Sequence, residues 1–228
     1  MRCEYIDHMG SDLSVVNAAR VSFDKESEWE VKGDELGLFF ENTLSKRDTK
    51  LISYLARHNH FTPFTHCQIT LRETVPIFVA RQRFKHSVGF TYNEVSRRYV
   101  DDEPSFFFPQ VWRLRPEGNV KQGSGEEVDP YTEVYVKEEY RRAVETCQEA
   151  YSFLLRQGVA PEQARMVLPQ SMFTSYYVTG SLFAFARAYL LRKDSDAQVE
   201  IQELAHQWDK LIRPLFPVSW SALTDEMV

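Results

Sequence analysis

Between Gln68 and Val75 the chain alternates: Ile69, Leu71 and Glu73 fall on one side, Thr70, Arg72 and Thr74 on the other. A period of two over eight residues predicts a β-strand, because successive side chains leave a strand on opposite faces. Residues 173–179 predict a second strand. Elsewhere the spacing is helical. Leu13, Val16 and Ala19 share a face in a segment that Ser11 or Asp12 can cap and that reaches about Arg20. Leu51, Ile52, Leu55 and Ala56 do the same within 48–58. Pro76 suits the first turn of a helix over 77–85. Residues 135–157 read as a long amphipathic helix stopped by Gly158, and Pro161 opens a short one. Ser181 can cap a helix over 182–191, and Asp194 or Ser195 a further helix reaching about Leu215.

Between these elements the pattern fades. Residues 24–48 are charged and irregular, and predict a partly helical surface excursion. Periodicity breaks at Gly89. Residues 106–112 are aromatic and strand-like or irregular, and 113–130 mix Gly, Pro and charge as a mobile loop does. Few strands, several helices and no βαβ alternation predict an α+β fold.

Composition narrows the class. With 228 residues, 43% of them hydrophobic, one domain spanning 1–228 with a full core is expected. No apolar run approaches the ~20 residues that span a bilayer, and the first residues lack the apolar stretch of a signal peptide. A cytoplasmic protein with no membrane partner is expected. Cys3, Cys67 and Cys147 lie far apart, so neither a disulfide framework nor a thiolate metal site is indicated. A net charge of −6 argues against non-specific nucleic-acid binding. His58, His60 and His66 lack accompanying ligands at metal spacing, and no Ser or Cys shows the paired base of a nucleophile.

Against that acidic background, residues 81–98 carry five cations and one carboxylate. Arg81 and Lys85 are four apart and share a helical face. Gly89 allows a sharp turn or a close approach of backbone to ligand. Ser96, Arg97 and Arg98 offer a hydroxyl and two guanidinium forks, which match a phosphate. A solvated basic surface explains the same composition. Arg165 and Arg192 lie in apolar stretches, where an arginine is either paired structurally or holds an anion.

The run Ala80-Arg81-Gln82, Lys85-His86 and Asn93-Glu94-Val95-Ser96-Arg97-Arg98-Tyr99 resembles the signature of the flavin-dependent thymidylate synthases. Four further blocks resemble the same family in the same order. They are Asp12-Leu13-Ser14 through Phe23, His58-Asn59-His60-Phe61-Thr62-Pro63 through His66, Ala164-Arg165 through Pro169, and Leu191-Arg192 with Ala197-Gln198 through Gln202. Several separated blocks in order are far more specific than one motif.

The resemblance implies a central antiparallel sheet flanked by helices and a homotetramer with active sites where subunits meet. It implies FAD as cofactor, NADPH and methylene-tetrahydrofolate as co-substrates, and dUMP as the nucleotide. Carried over by position, Gln82, Arg83, Phe84, Lys85, Glu94, Val95, Ser96, Arg97, Arg98, Arg165 and Arg192 surround dUMP. His60, Thr62, Lys85, His86, Ser87, Glu94, Ser181, Leu182, Phe183 and Arg187 contact FAD. Arg192 matches the catalytic arginine that activates the pyrimidine; it stays protonated, so its part is electrostatic. No metal is implied.

The chain departs from the family where Lys85-His86-Ser87 replaces the usual Arg-His-Arg, and the loop that follows is one residue longer. Arg97 stands at a position that is small in many members. These departures motivate a related one-carbon transfer as an alternative, such as hydroxymethylation or use of dCMP. A non-enzymatic nucleotide or nucleic-acid binder remains the other alternative.

Overall fold

The computed structural model describes residues 1–33, 40–99, 103–118 and 123–225. Its centre is a four-stranded, wholly antiparallel sheet in the order β1-β4-β6-β5. The strands are β1 (Arg2–Met9), β4 (Gln68–Pro76), β5 (Phe90–Glu94) and β6 (Phe173–Ser181). The alternation of β4 decides its faces. Ile69, Leu71, Glu73 and Val75 are buried, and in β6 so are Tyr176 and Val178, set opposite Glu73 and Leu71 by the register. The other face is polar and hydrogen-bonded across strands. Thr70 meets Thr179 at 2.9 Å, and Arg72 Nε and Thr74 Oγ1 each donate to Ser175 Oγ at 3.1 Å.

Helices cover the apolar face. α7 (Leu182–Arg192) and α8 (Val199–Ile212) bring Leu182, Phe185, Leu204 and Trp208 into the core. α1 (Asp12–Arg20), α2 (Lys46–Arg57) and α9 (Pro217–Thr224) close one end with Val16, Ile52 and Trp220. Asp12 is buried because its carboxylate accepts from the backbone N–H of Val218 and Ser219, capping α9 at 2.9 and 2.8 Å. The short α3 (Thr62–Thr65), α4 (Ile77–Arg83) and α6 (Pro161–Ala164) and the long α5 (Pro130–Arg156) complete the α-helices of the described residues. No helix among those residues is long and apolar enough to cross a membrane.

Glu73 sits on the apolar face with no exposed surface because a matching cation is buried with it. Glu73 accepts from Arg83 Nε at both carboxylate oxygens at 3.2 Å, from Tyr176 Oη at 2.5 Å and from Trp208 Nε1 at 2.9 Å. The guanidinium lies 4.3 Å from the Phe90 ring centre and 4.6 Å from that of Trp208. A buried carboxylate surrounded by donors, against a cation enclosed by aromatic faces, is tolerable where either alone is not.

Several elements differ from the sequence expectation. The excursion at 24–48 contains a hairpin, β2 (Glu30–Gly33) and β3 (Phe40–Thr43), rather than helix; residues 34–39 lie outside the described residues. All but one of its strand residues are exposed, so no burial pattern marks it. β1 is an edge strand whose register slips between Tyr5 and Asp7, which breaks the period of two. β5 is five residues long and begins right after Gly89. α5 starts at Pro130, five residues early, because Asp129 accepts from the N–H of Tyr131 and Thr132 at 3.1 Å. The expected helix to Leu215 begins only at Val199, and α9 follows separately. Within 113–130, Arg113 bridges to Glu127 and Leu114 N–H donates to Glu126 O at 2.8 Å, so the described part is paired backbone. Residues 119–122 lie outside the described residues.

Candidate active site

The segment leaving α4 is pinned to the start of α7. Gly89 has φ +78°, and a Cβ there would meet the Ala184 Cβ at 3.0 Å. Its carbonyl accepts from Ser181 N–H at 3.2 Å. At Gly180 a Cβ would fall 2.3 Å from the Phe90 ring. Gly89 therefore lets the loop approach α7 closely, and Gly180 makes room for the Phe90 ring across the β5–β6 pair. Tyr92 Oη donates to the His86 carbonyl at 2.7 Å, which fixes the backbone of that residue.

His86 and Arg192 meet here. Arg192 Nε donates to His86 Nε2 at 2.9 Å, across 106 residues of sequence. The two Nη groups of Arg192 have no partner among the described residues. Burial first, then the charges of Arg192, Arg83 and Arg187, push the His86 imidazole down to about 4. It is therefore neutral near pH 7, accepts at Nε2 and keeps its proton on Nδ1. Burial and Arg83 also hold Arg192 below its ordinary value, yet a guanidinium remains charged. Gln82 Nε2 donates to Gln198 Oε1 at 2.6 Å, Gln198 Nε2 to Glu200 Oε2 at 2.7 Å, and Arg113 Nη2 to Glu200 Oε1 at 2.6 Å. Lys85 and Ser87 are exposed beside this cluster.

Next to it is an aromatic shelf. Phe61 and Phe183 stack with ring centres 5.2 Å apart at 26°, and the Arg187 guanidinium lies 5.9 Å from the Phe183 ring. Phe61 is 48% exposed. The stack carries the exposed His60 and Thr62 up to α7. Exposed ring faces beside an exposed cation and hydroxyl fit a planar heterocycle that carries a pyrophosphate, as FAD does.

Of the remaining expected residues, Glu94, Val95, Ser96, Arg97 and Arg98 lie at or just beyond the far end of β5. Glu94 Oε1 accepts from Thr174 Oγ1 at 2.6 Å, and Val95 N–H donates to Ser175 O at 2.9 Å. Arg98 Nε donates to Ser96 Oγ at 3.2 Å, and Arg97 is half-buried beside them. At ~3.3 Å per residue, Phe90 and Glu94 are roughly 13 Å apart along the strand. Arg165 is exposed in the turn after α6, where its Nε donates to the Glu162 carbonyl at 3.3 Å. One chain thus carries two clusters, and β5 separates them.

Four expected contact residues have side chains engaged within the framework of this chain. Arg83 and Leu182 have no exposed surface, so neither presents a side chain to a ligand. Phe84 packs edge-on against Tyr92 and Tyr176, with ring centres 4.9 and 4.8 Å away. Ser181 Oγ is engaged as the cap of α7, accepting from Ala184 N–H at 3.2 Å. Sequence reasoning missed Phe61 and Gln198. Phe61 stands between His60 and Thr62, where that position was itself a signal; nothing local marks Gln198 as the partner of Gln82. A cleft of about 720 Å³ opens beside Gln198, lined by Phe78, Phe107, Trp112 and Tyr140, and holds none of the expected contact residues.

Residues 4–218 match the family described as thymidylate synthase complementing protein. A flavin-dependent thymidylate synthase of Thermotoga neapolitana is 36% identical over 219 residues, covering 96% of this chain and 88% of that protein. One from Thermus thermophilus is 32% identical, covering 98% and 75%. Among solved structures, a UMP/dUMP methylase PolB from Streptomyces cacaoi bound with 5-Br dUMP superposes with TM-score 0.79 at 32% identity, covering 97% of this chain and 93% of that one. The same methylase bound with 5-Br UMP gives TM-score 0.81 at 31% identity, covering 97% and 92%.

Proposed function

The chain belongs to the flavin-dependent thymidylate synthase family, and on that premise we propose how its residues divide the methylation of dUMP to dTMP. The carbon comes from methylene-tetrahydrofolate, and FAD, once reduced by NADPH, supplies the hydride. The observation that carries the reading is the Arg192 guanidinium, held through Nε by His86, with both Nη groups unengaged among the described residues. Presented end-on to the pyrimidine, it stabilises the negative charge that develops on ring oxygen or nitrogen as C5 becomes nucleophilic. Its rigidity matters because a preorganised charge needs no reorganisation at the moment of reaction.

Gln82 and Lys85 flank the nucleotide on the Arg192 side, Gln82 after exchanging its bond to Gln198. Glu94, Val95, Ser96, Arg97, Arg98 and Arg165 take the sugar and phosphate, where Ser96 and the guanidinium forks suit phosphate oxygens. Thr62, His60, Ser87, Phe183 and Arg187, with Phe61 added, hold FAD. Arg83, Phe84 and Leu182 support these groups from below.

The two clusters of one chain do not converge, which supports a site completed by a second copy, with Glu94–Arg98 of one protomer facing Arg192 of another. α5 supports the same reading. Of its 27 residues only Val144 and Tyr151 are buried, which leaves a long face for subunit contact in a homotetramer. One domain, residues 1–228, then forms each protomer.

The test is a mass spectrum of the nucleotide product after anaerobic incubation with FAD, NADPH and methylene-tetrahydrofolate. Parallel tubes hold dUMP, UMP and dCMP. Formation of dTMP from dUMP is expected. A hydroxymethylated product, or turnover of dCMP alone, would replace this reading with the related one-carbon transfer. UMP turnover would widen the substrate to ribonucleotides.

A further inference from the structure

Arg192 is a long, flexible side chain at the last turn of α7, and a guanidinium has no intrinsic reason to hold one orientation. Free in solvent it samples many rotamers, and only a fraction present both Nη groups in one direction. Among the described residues no carboxylate pairs with it. Its one side-chain partner is the imidazole of His86, through Nε at 2.9 Å. That geometry has a consequence for charge. A carboxylate partner would neutralise the guanidinium and weaken its pull on a substrate. A neutral imidazole orients it and leaves the positive charge intact.

We propose that His86 is a positioning residue that acts through Arg192, a neutral acceptor that aims the guanidinium at the pyrimidine without quenching its charge. The inference rests on the catalytic reading of Arg192 given above and adds the device that sets its orientation. Three observations converge on His86. Its carbonyl is fixed by Tyr92 Oη at 2.7 Å, so the ring hangs from an immobilised backbone. The groups facing it are cations: Arg83 from α4, and Arg187 and Arg192 from α7. They keep the imidazole in its unprotonated form, the only form with an acceptor at Nε2. Finally, the close approach of Gly89 to Ala184 sets the distance between the His86 loop and α7. A Cβ at Gly89 would push apart the two elements that the His86–Arg192 bond spans.

The test uses the holoenzyme and four variants: His86→Gln, His86→Leu, Arg192→Ala, and His86→Leu combined with Arg192→Ala. Glutamine keeps an acceptor oxygen near the Nε2 position; leucine removes it. A misplacement of about 1 Å can cost about 100-fold in rate. His86→Leu is therefore expected to lower kcat by about 10- to 100-fold, with dUMP Kd and FAD Kd within about 3-fold of the parent. His86→Gln is expected to recover at least about half of that loss on a logarithmic scale. The double variant is expected to be no slower than Arg192→Ala alone, because two residues that act through one group are not additive. Equal loss in the Gln and Leu variants, additive losses in the double variant, or a fall in FAD or dUMP affinity that matches the fall in kcat would each overturn the proposal. If Arg192→Ala retained kcat, the catalytic reading of Arg192 would fall and this inference with it. If Arg192→Ala lost kcat while His86→Leu kept it, the inference alone would fall.

Discussion

Two arginines, Arg83 at the end of α4 beneath the sheet and Arg192 in the last turn of α7, show how one side-chain type serves opposite ends. In the sequence Arg83 belongs to the cationic run after Ala80, whereas Arg192 closes an apolar stretch. Arg83 meets a full negative charge: Glu73 takes its Nε, and Phe90, Tyr92, Phe185 and Trp208 enclose it. Among the described residues Arg192 bonds to a neutral imidazole alone and stays partly exposed. The first charge is spent within the molecule; the second remains available to a ligand. What distinguishes a structural arginine from a functional one here is the charge of its partner, not its neighbours in sequence.

That contrast is open to direct attack. The largest effect is expected at the buried pair. Arg83→Ala leaves Glu73 uncompensated and should cost about 3–5 kcal/mol of stability, read as a drop in urea midpoint. Replacing both partners, as Arg83→Met with Glu73→Leu, should recover much of that loss, since well-packed apolar residues can match a buried ion pair. A variant of Arg83 that keeps its stability but loses dUMP affinity would reverse the assignment.

At the rim the signature changes from stability to rate. Arg192→Ala should lower kcat by about 100- to 1000-fold, with the melting temperature and dUMP affinity nearly unchanged. Equal losses in kcat and affinity would mean that Arg192 only binds. Arg98→Ala should weaken dUMP binding by about 10-fold, the loss of one charge-assisted hydrogen bond, and calorimetry decides it. Unchanged affinity would remove Arg98 from the phosphate site.

The smallest effect concerns pH. The imidazole of His86 is held at about 4 in the folded chain, below its ordinary 6.5. As pH falls from 6.5 to 4 the unfolded chain takes up a proton that the folded chain refuses, so stability declines across that window and levels off below it. Above 6.5 the group contributes no slope. Asp48 and Asp225 have depressed values and an ordinary value of 3.8, so they lose their contribution only at lower pH. His86→Gln should flatten the stability profile between pH 6.5 and 4; an unchanged slope would show that the imidazole titrates normally.

Much of the fold was legible because it is local. The alternation of Ile69, Leu71 and Glu73 against Thr70, Arg72 and Thr74 reappears as the two faces of β4. Ser181 caps α7 as its position implies. Elements without a burial contrast were silent: the exposed β2–β3 hairpin, the slipped edge strand β1 and the short β5. The site divided in the same way. The cationic run and Arg192 announced themselves by residue type. That Arg83 turns inward, that Phe61 joins Phe183, and that Gln198 occupies Gln82 were not visible, because each depends on a partner from a distant element.

Sequence alone determined which residues prefer strand or helix, where caps fall and where positive charge accumulates, since each follows from spacing and chemistry within a few residues. Only the tertiary structure decided what each charge faces. Arg83 is silenced by Glu73 ten residues away together with Trp208 from α8, and Arg192 is aimed by His86 across 106 positions. The free energy of a charge depends on the dielectric and the partner around it, and those are properties of the folded assembly of elements rather than of any single segment.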